Sequence, residues 1–315
     1  MKLIPAFFRL IRWPNLFFIA LTQVLFYYSL VEPLSSKGIG TSFRQIHLIL
    51  LITASVLIAA AGYIINDYFD LNIDQVNKPR KLIIEKIIKR RWAIAWHILL
   101  SFAGIAISFY IGYQLSNYWL GLANLVCVFL LFGYSITLKK KLLIGNILIA
   151  ALTAWVIIIA FLCYYRSFYC SGCDLSKLDA LYHRFIKISF LYAGFAFVIS
   201  LIREVVKDME DMGGDIKYGC KTMPIVWGIP ASKVFVAVWI IVLIGTLGIV
   251  QFYVLQFSWW WSAAYCFLLI ILPLLWILQM LYRANVPKDY HQLSTVIKIV
   301  MFTGILSMLF FKIYS

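Results

Sequence analysis

Charge is what this sequence has least of. Only 13% of its 315 residues are Asp, Glu, Lys or Arg, while 63% are hydrophobic. A soluble domain carries about a quarter charged residues, so a soluble globular class is excluded. There is no low-complexity stretch and no repeat of solenoid period. A cleavable secretory signal is also lacking. In MKLIPAFFRLIRWPN, Arg9 and Arg12 sit where such a signal needs an apolar core, and no small-residue cleavage site follows. Acid is the scarcest charge: 13 residues carry a carboxylate, and the long apolar runs are almost free of them. An ion pathway through a membrane would want acids near its midplane.

What is present is a succession of apolar runs, each near the 20 residues needed to cross about 30 Å of hydrocarbon. Nine spans are predicted, at 15–33, 46–65, 93–113, 117–136, 142–165, 184–203, 233–254, 259–281 and 296–314. The fold class is therefore an all-α polytopic membrane protein, read as one domain over 1–315. Residues 1–14 are expected to form an amphipathic segment on the membrane surface. Residues 66–92 and 204–232 are expected as aspartate-rich loops. Of the basic residues, 21 fall on one side of this arrangement and 7 on the other. The positive-inside rule then places the N-terminus and both acidic loops in the cytoplasm, in an inner or plasma membrane. The net charge of +15 is topology signal and attraction to anionic lipid; it calls for no nucleic acid, and no obligate protein partner is implied.

Eight of the acids occur in two stretches. NDYFDLNID holds Asp67, Asp70 and Asp74, just after the run LILLITASVLIAAAGYII; REVVKDMEDMGGD holds Glu204, Asp208, Glu210, Asp211 and Asp215. Continued as helices, they place Asn66, Asp70 and Asp74 on one face, and Glu204, Asp208, Asp211 and Asp215 on another. Like charges on one face repel, and a divalent cation is the natural remedy. Carboxylate and amide oxygens suit Mg²⁺, which binds one or two carboxylates together with substrate phosphates.

These residues resemble a known family. Asn66 to Asp74 is similar to the NDxxDxxxD motif of the UbiA superfamily of intramembrane prenyltransferases, and Asp208, Asp211 and Asp215 resemble its second aspartate-rich motif. Asn15 in RWPNL, Tyr134-Ser135 and Leu138-Lys139 in GYSITLKKK, and Gly219, Thr222, Pro224 and Ile225 in YGCKTMPIVWG extend the likeness over most of the chain. One departure lies after the first motif: Asn77-Lys78-Pro79 is followed by Arg80-Lys81-Leu82, so Arg80 or Lys81 takes the place of the family's arginine.

The resemblance implies a nine-helix bundle with a polar cavity facing the cytoplasm. It also implies two Mg²⁺ ions bound with the diphosphate of a polyprenyl donor, whose tail lies in lipid. A lipophilic acceptor attacks the allylic carbon. The metal set it implies is Asn66, Asp67, Asp70, Asp74, Asp208, Asp211 and Asp215. Asp70, Asp74, Asp211, Asp215, Lys139 and Arg203 would carry catalysis. Asn15, Tyr134, Lys139, Arg203, Lys207 and Arg80 would hold substrate. Glu204 and Glu210 are expected to be ion-pair partners of Lys207 and Lys217.

The stretch KDMEDMGGD resembles most that of geranylgeranylglyceryl-phosphate geranylgeranyltransferases, which make ether lipids. The acceptor so implied is the hydroxyl of geranylgeranylglyceryl phosphate. An aromatic quinone precursor is the alternative acceptor, and a cation transporter is a distant alternative of another class. Cys170 and Cys173 form a lone CxxC, open to a disulfide or to two free thiols. Cys127, Cys163 and Cys266 read as packing residues, and the four histidines as interfacial.

Overall fold

The computed structural model describes residues 3–35, 40–77, 79, 82–165, 167–169 and 175–314. Lys78, Arg80, Lys81 and the Cys170–Cys173 pair lie outside them. Among the described residues nine helices are long and apolar enough to cross a membrane: Trp13–Val31, Gln45–Phe69, Arg90–Gln114, Trp119–Ile136, Ile144–Tyr165, Tyr182–Lys217, Gly228–Leu255, Trp260–Arg283 and Pro287–Ile313. They are the first to ninth spans below. Large apolar side chains stay uncovered on them, Ile249 being 74% exposed and Phe102 71%. Such exposure is a liability in water and is the ordinary condition of a surface solvated by lipid.

The chain divides into two compact units. The first comprises Met1–Lys139 and Trp155–Phe190. Its second span packs on the third, fourth and first. Small residues let these backbones approach. A Cβ at Gly104 would lie 2.7 Å from Ile58 Cγ1 and 3.1 Å from the Ala54 carbonyl oxygen. Some polar side chains at membrane depth bond between helices: Gln23 Nε2 donates to Ser55 Oγ at 2.9 Å, and Asn124 donates to Ser108 Oγ at 2.9 Å while accepting from Trp155 Nε1 at 3.2 Å. Gly40–Thr41 and Phe168–Tyr169 form a two-residue antiparallel strand pair in this otherwise helical unit.

The N-terminal helix, Leu3–Leu10, buries Ala6 and Leu10 and exposes Leu3, Ile4 and Phe8. Leu10 joins Ile64, Leu71, Ile84, Ile88 and Ala93 in a core. That cluster reaches the first acidic stretch, because Ile64 precedes the stretch and Leu71 lies within it.

The second unit comprises Lys140–Ala154 and Leu191–Ser315. Ile202, Val205, Val206 and Met209 of the sixth span pack with Val236 and Ile240 of the seventh, Leu274 and Ile277 of the eighth, and Leu293, Ile297 and Val300 of the ninth. In the eighth span Pro273 has no N–H for the carbonyl of Leu269 four residues earlier. The Thr303 hydroxyl, on the ninth span, donates to that oxygen at 2.9 Å, so the backbone is satisfied without water. The helix widens to a π-turn over Phe267–Ile271 just before the proline.

Two expectations need correction. The segment 204–232 is no loop over its first part, because the sixth helix runs on to Lys217. It ends in a Schellman motif: Gly219 at φ 69° closes it, with Cys220 N bonding Asp215 O at 2.9 Å and Gly219 N bonding Ile216 O at 3.2 Å. Glycine fits there because an L side chain is strained at that φ. The segment 66–92 is likewise helical at both of its ends. The second span reaches Phe69, a short helix covers Leu71–Asn77, and the third span already begins at Arg90.

Candidate active site

The first acidic stretch straddles a small break. Asp70 ends the second span at φ −85° and ψ −2°, yet its N–H still bonds Asn66 O at 2.9 Å, and Asp74 N–H bonds Asp70 O at 2.8 Å. The helical spacing of Asn66, Asp70 and Asp74 thus survives the join. Asn66 Nδ2 donates to Asp70 Oδ2 at 2.8 Å. Lys139 Nζ lies 2.6 Å from Asp70 Oδ1 and donates to Asn66 Oδ1 at 3.4 Å. The lysine comes from the 3₁₀ turn Leu138–Lys140, directly after the fourth span. Its side chain is only 9% exposed, so it is committed to this carboxylate rather than to bulk water. One turn below, His97 Nδ1 meets the Ala61 carbonyl oxygen at 3.0 Å.

Asp67 points elsewhere. Arg12 Nη2 donates to its Oδ1 at 2.6 Å, and the guanidinium carbon sits 5.1 Å over the Tyr63 ring. The Arg12 backbone is left-handed, φ 51° and ψ 53°, a conformation that costs a non-glycine residue about 1–2 kcal/mol. Its guanidinium is pushed further above its ordinary range, first by Asp67, with Tyr63 and Asp74 adding to it. Arg12 therefore stays charged at every accessible pH.

The second stretch lies at the C-terminal end of the sixth helix. Asn146 Nδ2 donates to Asp208 Oδ2 at 2.8 Å. Glu204 is paired with Arg203 at 3.1 Å and Lys207 at 3.3 Å. Glu210 meets His291 Nδ1 at 2.8 Å, not Lys217 as the sequence suggested. Asp211 and Asp215 follow Asp208 by one and two helical turns and are half-buried. Arg203 Nε is buried without a hydrogen-bond partner among the described residues, a donor available to an incoming acceptor oxygen.

The remaining site expectations are distributed as follows. Asn15 is half-buried in the first turn of the first span, its N–H bonded to Arg12 O at 2.8 Å. Tyr134 is half-buried in the last turn of the fourth span. Arg80 is outside the described residues. Among the described residues no three His, Cys, Asp or Glu side chains converge as a ready metal cage. The physical reason is visible in the first stretch, where Arg12 and Lys139 each neutralise a carboxylate. The donor set is nevertheless all hard oxygen, which suits Mg²⁺.

Three residues at these stretches were not singled out from sequence as site residues: Arg12, Asn146 and His291. Arg12 read as an orientation signal and His291 as interfacial. Asn146 is a lone amide near the start of an apolar span, which is itself a signal.

The sequence model of the UbiA prenyltransferase family matches residues 33–305. Digeranylgeranylglyceryl phosphate synthase of Sulfurisphaera tokodaii is 30% identical over 250 residues, 79% of this chain and 80% of that one. The protein of the same name from Methanothermobacter thermautotrophicus is 35% identical over a shorter match, 58% of each chain. A solved structure of digeranylgeranylglyceryl phosphate synthase, 22% identical, superposes with a TM-score of 0.62 over 98% of this chain and 99% of its own. A UbiA homologue from Archaeoglobus fulgidus bound to DMAPP and Mg²⁺ is 14% identical, with a TM-score of 0.57 over 96% and 98%. The transporter alternative is displaced by these matches. The family model covers most of the chain, and the chain belongs to the UbiA prenyltransferases, as a multi-pass membrane enzyme.

Proposed function

We propose that this prenyltransferase moves a geranylgeranyl group from its diphosphate to the hydroxyl of geranylgeranylglyceryl phosphate, in membrane ether-lipid synthesis. The observation that carries the reading is the first acidic stretch with its cations. Asn66 and Asp70 are fixed by Lys139 at 2.6–3.4 Å, at the end of an apolar span. A substrate that is half hydrocarbon and half polyanion needs this combination. The names of the relatives and the KDMEDMGGD stretch support the glyceryl-phosphate acceptor over an aromatic one.

Asn66, Asp67, Asp70 and Asp74 of the first stretch and Asp208, Asp211 and Asp215 of the second are the residues that would hold two Mg²⁺ ions. The Archaeoglobus homologue binds its prenyl diphosphate with Mg²⁺. Bound there, Mg²⁺ supplies positive charge to the departing diphosphate. Lys139 beside the first stretch, and Arg203 and Lys207 beside the second, add fixed positive charge for diphosphate oxygens. The buried Nε of Arg203 is an unspent donor for one of them. Tyr134 would donate its phenol to a phosphate oxygen, Asn15 would face the acceptor, and Arg80 would add charge to the diphosphate site. The acidic stretches and the N-terminus face the cytoplasm in this reading, where soluble diphosphates and Mg²⁺ are supplied.

The test is a product assay on detergent-purified protein with Mg²⁺ and geranylgeranyl diphosphate, offering geranylgeranylglyceryl phosphate and 4-hydroxybenzoate in parallel. Mass spectrometry should find digeranylgeranylglyceryl phosphate. A prenylated hydroxybenzoate as the main product would replace the acceptor and keep the chemistry.

A further inference from the structure

The turn between the fourth and fifth spans is held more firmly than a connector requires. Leu143 has φ 57°, a left-handed conformation that strains a leucine. Such residues persist only where their surroundings over-determine them, and they cluster at functional sites. Three contacts fix this one. Lys140 O accepts from Lys221 N at 2.8 Å, Leu142 and Leu143 pack against the core of the second unit, and Asn146 Nδ2 donates to Asp208 Oδ2 at 2.8 Å. Asn146 is 7% exposed. A buried amide at the start of an apolar helix is costly unless its donors are used, and here a donor goes to a carboxylate of the second acidic stretch. The amide nitrogen is the donor of this contact and the carboxylate oxygen its acceptor.

We propose that Asn146 is a positioning residue for prenyl transfer: by holding Oδ2 of Asp208 it fixes the rotation of the carboxylate and leaves Oδ1 for Mg²⁺. The strained turn at Leu143 serves to bring the first turn of the fifth span, and with it Asn146, to that oxygen. The proposal rests on the reading of Asp208 as a metal ligand given above.

The experiment compares wild type, N146A, N146S, D208A and N146A/D208A in detergent. Two quantities are read. One is the Mg²⁺ concentration that half-saturates turnover. The other is the Mg²⁺ concentration at which geranylgeranyl thiolodiphosphate, a non-reacting donor analogue, raises the melting temperature. N146A should raise both about ten- to hundredfold, the loss expected for one hydrogen bond to a charged group. N146S keeps a hydroxyl donor and should recover part of the shift; it also carries the test if N146A folds poorly. The double variant should be no worse than D208A alone, as for two residues acting through one contact. N124A removes a different buried amide and should lower the melting temperature without moving the Mg²⁺ dependence. Wild-type Mg²⁺ dependence in N146A and N146S, or losses that multiply in the double variant, would overturn the proposal. If D208A itself kept wild-type Mg²⁺ dependence, the reading of Asp208 would fail first, and this one with it.

Discussion

Removing Lys139 should destabilise the metal-free protein in a way that Mg²⁺ repairs. Lys139 Nζ is 2.6 Å from Asp70 Oδ1, with the two side chains 9% and 18% exposed. At an effective dielectric of about 20, unit charges at that separation attract by about 6 kcal/mol. Desolvation of both ions offsets much of this, leaving about 3 kcal/mol as the cost of deleting one partner and stranding the other. At about 2 °C per kcal/mol for a chain of this size, K139M in EDTA should melt about 6 °C below wild type. In millimolar Mg²⁺ the gap should narrow, because the metal would occupy the place the ammonium held and Asp70 would no longer be stranded. Turnover should fall regardless, since the same lysine faces the diphosphate in the proposed reading. The assay is tryptophan-fluorescence melting in detergent, with K139R as the charge-preserving control and K139M/D70N to close the cycle. Equal melting of K139M and wild type in EDTA would refute the energetic argument. A deficit that Mg²⁺ leaves untouched would refute the idea that lysine and metal share Asp70.

Arg12→Ala loses the pair to Asp67 and the stacking on Tyr63; because that pair is partly exposed, the cost should be about 1 kcal/mol. R12G should melt above R12A despite making no more contacts, because φ 51° costs glycine nothing. Gly104→Ala drives a methyl to 2.7 Å from Ile58 Cγ1 and should destabilise by about 1–3 kcal/mol; I58A in the same chain should return part of it, which chemical or thermal unfolding of the pair would show. Chelation with EDTA should abolish product formation and added Mg²⁺ should restore it; turnover that survives exhaustive chelation would contradict the assignment of the aspartates.

The nine spans were legible because each apolar run is close to the thickness of the bilayer, and the acidic stretches because so few acids exist elsewhere. The end of the sixth helix was not. Arg203 and Glu204 look like the place where a chain leaves the membrane and unravels. The helix instead continues because Val205, Val206 and Met209 bury a stripe on the other face, a tertiary reason that charge counting does not see. The partners were hidden for the same cause. Arg12 reaches Asp67 across 55 residues and Asn146 reaches Asp208 across 62, and neither pairing leaves a local pattern. Glu210 shows the limit of near-neighbour reasoning: it has Lys217 two turns away on its own helix and takes His291 of another span.

The sixth helix also acts as a ruler. From Tyr182 to Lys217 it has 36 residues, about 54 Å at 1.5 Å per residue, against roughly 30 Å of hydrocarbon. Within the second unit this helix carries both Ile199 and Ile202, held in the core, and the carboxylates proposed to meet the metal. Its phase is fixed at one end and read out at the other. Inserting a single residue between Ser200 and Asp208 would swing Asp208, Asp211 and Asp215 together by about 100°, away from Asn146, without altering a single acidic side chain. The length of this helix is thus as much a part of the chemistry as the acids it bears.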